Sequence, residues 1–300
     1  MAFFNWIKAK LERCPPLVDR DLILRLTCLF LVLHAEKLYF PPVAKGIFPV
    51  FAIVVCGLML AFPILLRSRV PWIVLSLGCW TTILTNWNLI DNHLYLIGYW
   101  VLACTLSNFS ANPVEILRTN GRFIVGLSFS FAVLWKFMSH AWLDGSFFYM
   151  ISLFDQRIGQ LVAAIVDDPP VWSSTLVQLK AFTMIPDLGL KMEIPAMHSL
   201  VTLSRIACYG GLTLEILVAL LFLLGRPRFL LKLRDYFLVA FCLGAYMLAP
   251  VYGFAYVFSI MGLAQCGNSR TWTRLMYVLL FCFAIVMSHV ATAGVGRLID

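Results

Sequence analysis

Residues 47–66, IFPVFAIVVCGLMLAFPILL, and residues 70–90, VPWIVLSLGCWTTILTNWNLI, contain no charged residue. About 20 consecutive apolar residues in a helix are enough to span the hydrocarbon core of a bilayer. A segment in that core must satisfy its backbone hydrogen bonds internally, so only helices or a closed barrel can cross it. Because the apolar residues run continuously rather than alternating with polar ones, both stretches predict helices.

The composition extends this prediction to the whole chain, since 61% of the 300 residues are hydrophobic and only 13% are charged. We predict an all-α, polytopic helical membrane protein with about nine transmembrane helices. The predicted spans are roughly 21–40, 47–66, 70–88, 93–108, 122–140, 199–224, 235–250, 252–266 and 274–295. Residues 1–20 form a charged, amphipathic segment with no cleavable signal peptide. Residues 21–300 form the membrane domain, of which 141–198 is an extracytoplasmic segment.

The distribution of basic residues predicts the orientation, because cytoplasmic loops of membrane proteins are enriched in Lys and Arg. One side of the membrane collects fourteen of the 23 basic residues, and the opposite loops hold five. The N-terminus is therefore expected in the cytoplasm and the C-terminus outside, in the plasma membrane if the cell is bacterial. The net charge of +8 is then explained by topology and by attraction to membrane lipids, not by nucleic-acid binding.

The nine cysteines do not predict a disulfide framework or a zinc site. Seven lie within predicted spans, none lies in an outside loop, and no CxxC pair occurs. We therefore expect no metal centre.

The long outer segment, 141–198, contains an apolar, amphipathic part at 147–166 and a second predicted helix at 172–182, separated by Asp167-Asp168-Pro169-Pro170. Two interpretations are open. The segment is either a cap over a membrane-embedded site or a surface hairpin that covers helix ends.

Lys136 is the most informative single residue, because it lies in the apolar stretch FIVGLSFSFAVLWKFMSHAW of residues 123–142. An ionisable group at membrane depth is a functional-site hypothesis by default. The alternative is a lysine near a helix end that extends its ammonium to the interface. Desolvation favours the neutral amine, which is the form that a general base needs.

The predicted topology places several polar residues at one depth, near the outer boundary. Span one ends there at His34, span three at Trp87 and Asn88, and span five at Lys136, while span four begins there at Asn92 and His93. Neighbouring helices could bring these groups together. His93 adds a side chain that titrates near neutral pH, although such residues also hold helix bundles together.

Glu215 lies in the middle of another apolar helix, GLTLEILVALLFLL, and Arg205 lies two to three turns earlier. The two are too far apart to pair within one helix. We expect each to face the bundle interior and to pair with another helix.

Four elements of the chain resemble the membrane domain of the vitamin K-dependent gamma-carboxylases. Trp87-Asn88 and Asn92-His93-Leu94-Tyr95-Leu96 resemble its W-N…N-H-x-Y-L signature, and Lys136-x5-Trp142-Leu143-x-Gly145 resembles its K-L-x(4)-W-[LV]-x-G element. Residues 210–224 resemble its helix with one acidic residue in a leucine run, and residues 252–266 resemble a later span. These elements cover about residues 20–290 in the same order. The wider group is the horizontally transferred transmembrane (HTTM) domain family.

The resemblance implies a catalytic lysine at Lys136, which deprotonates a reduced, vitamin K-like quinone, and a catalytic histidine at His93. It implies an outward-facing substrate or cofactor pocket. The pocket residues it suggests are Trp87, Asn88, Asn92, Tyr95, Trp142, Glu215 and Cys242.

The chain also departs from the family pattern. Phe241-Cys242 stands where the family often has Phe-His, and the acidic residues after the lysine are replaced by Met138-Ser139-His140-Ala141. The 300 residues have no counterpart of the large soluble portion that binds the carboxylase's protein substrate. We therefore do not expect glutamyl carboxylation by this chain alone.

Two classes of function stay open. One is a carboxylase-like membrane enzyme that acts on a peptide or on a lipid-soluble, quinone-like substrate. The other is a non-catalytic membrane partner that assists the maturation or export of a secreted peptide. A transporter is disfavoured, because the sequence shows no repeated half and no matching pair of interrupted spans.

Overall fold

The computed structural model describes residues 19–35, 47–88, 92–154, 162, 166, 169–183, 197–224, 228–248, 252–266 and 270–296. Within these residues the protein is α-helical and has no β-strand, which confirms the predicted all-α class. The helices are α1 Asp19–His34, α2 Ile47–Ala61, α3 Pro63–Leu66, α4 Arg69–Thr85, α5 Asn92–Ser107, α6 Pro113–Met138, α7 His140–Leu143, α8 Ser146–Phe154, α9 Pro169–Thr183, α10 His198–Leu224, α11 Arg228–Leu248, α12 Tyr252–Ala264 and α13 Thr271–Gly296.

Three of these helices are long and apolar enough to cross a membrane: α6, α10 and the part of α13 at Thr271–Ser288. Helix α6 has 26 residues and α10 has 27, so at 1.5 Å per residue each exceeds the roughly 30 Å of a bilayer core. Helices α2 and α12 contain shorter apolar segments, Pro49–Ala61 and Gly253–Ala264. These helices are compatible with a membrane protein.

Several helix ends differ from the predicted span boundaries, because apolarity locates the membrane and not the end of a helix. Helix α6 begins at Pro113, nine residues before the predicted start at 122. Its first turns are polar and contain an ion pair between Arg118 and Glu115, 2.8 Å apart. Proline suits the first helical position, since that residue has no intrahelical partner for an N–H. The predicted span 47–66 is broken for the converse reason. Phe62 is extended between α2 and α3, because Pro63 disfavours helical geometry in the residue before it.

The helices form two compact units. The first contains Met1–Ser128 and Val218–Asp300, and the second contains Phe129–Leu217. In the first unit α12 packs against α1, α5, α11 and α13. Nearly every residue from Gly253 to Ala264 is buried. A helix that is apolar on all sides belongs in the interior, so α12 is the core helix of this unit.

Glycines let α12 approach its neighbours closely. A Cβ at Gly253 would lie 2.5 Å from the ring of His93 on α5, and a Cβ at Gly262 would overlap the ring of Tyr277 on α13. Small residues at such contacts are the usual means of close helix packing in membranes. The sites of tightest packing in the first unit therefore depend on the absence of a side chain.

The second unit contains the end of α6, helices α7 to α9 and the part of α10 up to Leu217. It has its own apolar core, formed by Leu153, Val162, Val166, Trp172, Leu179, Met197 and Leu200. The predicted second helix of the outer segment, 172–182, is confirmed as α9, which begins at Pro169. The segment between α6 and α10 is thus a folded helical element with a core, which is more than a bare connection.

Candidate functional site

Lys136 and Glu215 form an ion pair in the second unit. The Lys136 ammonium donates to both carboxylate oxygens of Glu215. Both side chains are largely buried, at 12% and 8% exposure. Each residue is the charged member of an otherwise apolar helical stretch. The two opposite charges neutralise each other, so neither is left unpaired. The prediction that Glu215 pairs with another helix is confirmed.

The local sequence explains why Lys136 lies at this point. It is in the last turn of α6, which ends at Met138. Ser139 is extended, and the short helix α7 follows directly. Gly145 then adopts a positive φ of 88°, a conformation that is readily available only to glycine. This sequence of turns leads the chain back over the end of α6 and brings Trp142 to Lys136.

Trp142 covers the ion pair with an aromatic face. The Lys136 Nζ lies 4.3 Å from the centre of the Trp142 ring. The indole stacks on Phe147 with 4.6 Å between ring centroids, and Phe148 meets it edge-on at 5.2 Å. A cation over tryptophan is stabilised by the ring quadrupole, more strongly when water is excluded. Lys136 is therefore held by a carboxylate and by an aromatic surface.

Two further contacts fix this arrangement to α10. The Tyr209 hydroxyl donates to the Leu143 carbonyl over 2.6 Å. A Cβ at Gly145 would lie 2.7 Å from the side chain of Arg205, so the turn fits closely against α10. Arg205 itself is exposed and forms no ion pair with any residue that the structure describes. The expectation that Arg205 faces the bundle interior was therefore wrong, whereas its pairing with another helix stays a prediction. In the described part of the chain its side chain packs against the turn at Gly145.

The ion pair can hold and move one proton between an amine and a carboxylate. With the proton on Lys136 the pair is an ammonium and a carboxylate; with the proton on Glu215 it is an amine and a neutral acid. The chemistry predicted for Lys136 from the sequence rested on desolvation of its side chain alone. The structure adds a carboxylate partner, so a proton transfer at this site would involve both Lys136 and Glu215.

His93 lies in the first unit and is hydrogen-bonded to His34. Their Nε2 atoms are 2.9 Å apart, joining α5 to α1. Phe30 stacks on His34, and Phe254 meets His93 edge-on at 5.6 Å between centroids. The prediction that neighbouring helices bring these polar groups together is confirmed for the two histidines. The meeting of His93 with Lys136 stays a prediction, since the two residues belong to different units.

The other predicted pocket residues are also in the first unit. The Tyr95 hydroxyl donates to the Trp87 carbonyl over 2.9 Å, which ties the start of α5 to the end of α4. Trp87, Asn88 and Asn92 are exposed, and Cys242 is buried in α11. The structure thus brings together Lys136, Trp142 and Glu215 from the predicted set, and separately Trp87 with Tyr95.

A buried charge cluster in the first unit was not predicted as a cluster from the sequence. Asp235 of α11 accepts hydrogen bonds from Arg234, from Arg270 at 2.5 Å and from the Tyr277 hydroxyl at 3.0 Å. The cluster joins α11 to α13. The sequence showed these arginines only as loop charge, because Arg270 lies 35 residues from the aspartate that it shares with Arg234.

Among the described residues, no group of three or more His, Cys, Asp or Glu side chains is placed to hold a metal ion. No protein-family model, no curated protein and no solved structure matches the chain.

Proposed function

We propose that the chain is an HTTM-type integral membrane protein in which Lys136 and Glu215 together transfer a proton on a peptide or on a lipid-soluble, quinone-like substrate. The observation that carries this proposal is the pairing of two lone charges from two apolar helices beneath Trp142. Ionisable residues inside a membrane are expensive to place there and usually mark a functional path. The resemblance of the Lys136–Gly145 element to the gamma-carboxylase membrane domain points to the same residues.

The proposal includes a topology of about nine spans, with the N-terminus in the cytoplasm and the C-terminus outside. The plasma membrane is its location in a bacterial cell. The fourteen-to-five division of basic residues between the two sides supports this orientation. Lys136, at the end of α6, then faces the extracytoplasmic side, where a secreted peptide or a membrane lipid has access.

A reduced quinone is the cofactor class that fits this donor set. Trp142 with Phe147 and Phe148 supplies flat apolar surfaces for an aromatic ring, and Lys136 and Glu215 supply a donor and an acceptor beside them. When bound, such a group supplies an acidic phenolic hydroxyl. The chain's own residues would stack the ring, exclude water and take up the proton on the Lys136–Glu215 pair.

The Lys136→Arg variant tests the proposed proton transfer. Arginine keeps the positive charge for Glu215 but is never deprotonated in proteins. We expect the variant to fold and to lose activity, measured as rescue of a deletion strain's phenotype. Leu134→Ala, which truncates an exposed side chain of the same helix, is the matched control and should keep activity. Full rescue by the arginine variant at parental protein level would contradict proton transfer at Lys136.

A second candidate is a non-catalytic membrane partner for a secreted peptide. The observation that favours it is the mutual neutralisation of Lys136 and Glu215, which a purely structural pair also achieves. The double variant Lys136→Met with Glu215→Leu separates the two candidates. It removes both proton-carrying groups of the pair and leaves no unpaired charge there. Rescue by the double variant supports the non-catalytic candidate, and loss of rescue with normal folding supports the enzyme.

Lipid extraction from the purified protein followed by mass spectrometry tests the cofactor class. We expect a quinone in stoichiometric amount with the parent protein and less with a Trp142→Ala variant. Equal amounts in both would show that the quinone is carried by the detergent micelle and not by this site.

A further inference from the structure

Three arginines gather in the first unit where three helices end. Arg20 lies in the first turn of α1, Arg67 lies between α3 and α4, and Arg69 is the first residue of α4. They surround Asn108, which directly follows α5, and Asp21. Arg20 donates to the Asn108 side-chain oxygen, and the Arg69 Nε donates to the Asn108 backbone carbonyl over 3.2 Å. Asn108 therefore fixes two guanidinium groups from two helices side by side.

The group of Arg20, Arg67 and Arg69 has more positive charge than the residues that the structure describes around it neutralise. Its carboxylate partner among the described residues is Asp21, which binds Arg67 at 2.7 Å. Three positive charges and one negative charge leave a net charge of about +2. Such a local excess attracts an anion.

Several donors in this arginine cluster are also unused. The Arg20 Nε is buried and has no hydrogen-bond partner among the residues that the structure describes. The Arg69 Nε donates to the Asn108 carbonyl. The two terminal nitrogens of Arg69 donate no hydrogen bond to any residue that the structure describes. Guanidinium groups with paired terminal nitrogens match the oxygen spacing of a phosphate. The cluster therefore offers both charge and directed donors to a phosphate group.

Apolar side chains beside the cluster indicate which kind of phosphate it takes. Ile64 and Val70, which flank Arg67 and Arg69 in the chain, are 79% and 66% exposed. Phe109 is exposed as well, and the Arg69 guanidinium lies 4.7 Å from the centre of its ring. A free phosphate ion makes no favourable contact with apolar side chains. The acyl chains of a lipid can cover them and remove their apolar surface from water. Basic pockets between membrane helices are known binding places for anionic lipid headgroups.

We propose that Arg20, Arg67 and Arg69 form a binding site for the phosphate of an anionic phospholipid, whose acyl chains lie along Ile64 and Val70. This site is separate from Lys136 and Glu215 and does not depend on the proposed function. Arg20 and Arg69 contact the phosphate oxygens, and Asp21 holds Arg67 beside them while limiting the net charge.

The experiment measures binding of a fluorescent phosphatidylglycerol to purified protein in a neutral detergent, with phosphatidylcholine as the reference lipid. Each arginine near a membrane surface contributes about 1 kcal/mol, so Arg20→Gln with Arg69→Gln should weaken phosphatidylglycerol binding roughly thirtyfold. Arg118→Gln removes an exposed arginine that is paired with Glu115 in the same unit. It is the matched control and should leave binding unchanged.

Asp21→Asn guards against a loss that comes only from misfolding. It removes the carboxylate of the cluster, so phosphatidylglycerol should bind about fivefold more tightly. Equal binding by the parent and the double arginine variant would overturn the proposal, as would equal loss in the Arg118→Gln control. Displacement of the lipid by millimolar inorganic phosphate would also overturn it, since the site would then recognise a free anion.

Discussion

The Lys136–Glu215 pair leads to a prediction about stability that can be made quantitative. Removing one partner of a buried ion pair leaves an uncompensated charge and costs about 3–5 kcal/mol. Lys136→Met leaves the Glu215 carboxylate at 8% exposure with no ammonium, so the full range applies. At roughly 2 °C per kcal/mol for a chain of this size, the variant should melt about 6–10 °C below the parent. Glu215→Leu should behave in the same way, because Lys136 is buried to a similar degree.

The double variant Lys136→Met with Glu215→Leu tests whether the lower stability of the single variants comes from an unpaired buried charge. Replacing a buried ion pair by apolar side chains is often neutral or stabilising, so the double variant should melt near the parent. The two single effects would then fail to add by several kcal/mol, which measures the coupling between the residues. Leu134→Ala on the same helix, at 55% exposure, should change the free energy of unfolding by about 0.5 kcal/mol or less.

Thermal unfolding in detergent, followed by tryptophan fluorescence, is the assay. Additive losses in the double variant would refute the pairing and leave the two charges with separate partners. A Lys136→Met variant as stable as the parent would refute it as well, because a carboxylate buried to this degree cannot lose its counterion without a penalty.

Three further predictions concern other parts of the molecule. Gly253→Ala places a methyl group against the buried imidazole ring of His93 and should lower the free energy of unfolding by about 1–3 kcal/mol. Gly244→Ala is the control and should not destabilise the protein, because its new methyl group meets nothing within 4 Å. Equal melting temperatures of the two variants would contradict the packing. The backbone N–H of Ser146 donates to Asp144 and lowers the pKa of that carboxyl below its ordinary value of 3.8. The Asp144 carboxylate therefore contributes stability that is present above pH 3.8 and is lost as the pH falls through the lowered pKa. Asp144→Asn should remove this part of the acid-induced change in circular dichroism. An acid profile identical to that of the parent would contradict the prediction. A reporter fused after Arg228 should be cytoplasmic and one after Asp168 external, and the reverse at either point would contradict the orientation.

The helical class and the positions of most helices followed from the sequence, because continuous apolar runs leave a membrane segment few alternatives. Helix ends were less predictable. Charged turns such as those of α6 near Arg118 continue the helix beyond the apolar run. Nothing in a count of apolar residues records where hydrogen bonding ends in the aqueous region. The α2–α3 break at Pro63 is the converse case, where one residue ends a helix within an apolar run.

The candidate site was predictable in its members but not in its pairing. Lys136 and Glu215 are each recognisable in the sequence as a lone charge in an apolar helix, and placing such a charge in a membrane is costly. They are 79 residues apart, and no local rule of spacing links them. Their neutralisation by each other depends on the turn from Ser139 to Gly145, whose geometry requires a glycine at one position. The sequence therefore indicated where partners were needed, and the fold determined which ones were used.

The His34–His93 contact shows that the depth argument has physical content even where a motif is weak. The two residues are 59 positions apart, and what they shared in the sequence was an expected distance from the membrane centre. Helices of alternating direction return polar residues to the same level, and a buried polar group must find a partner at its own level. Lys136 and Glu215 mark the limit of this expectation, because one lies near the end of α6 and the other within α10 and the two still form hydrogen bonds. For a chain of this composition, the expected depth of a polar residue thus indicates that it needs a partner, and the packing of the helices determines which partner it finds.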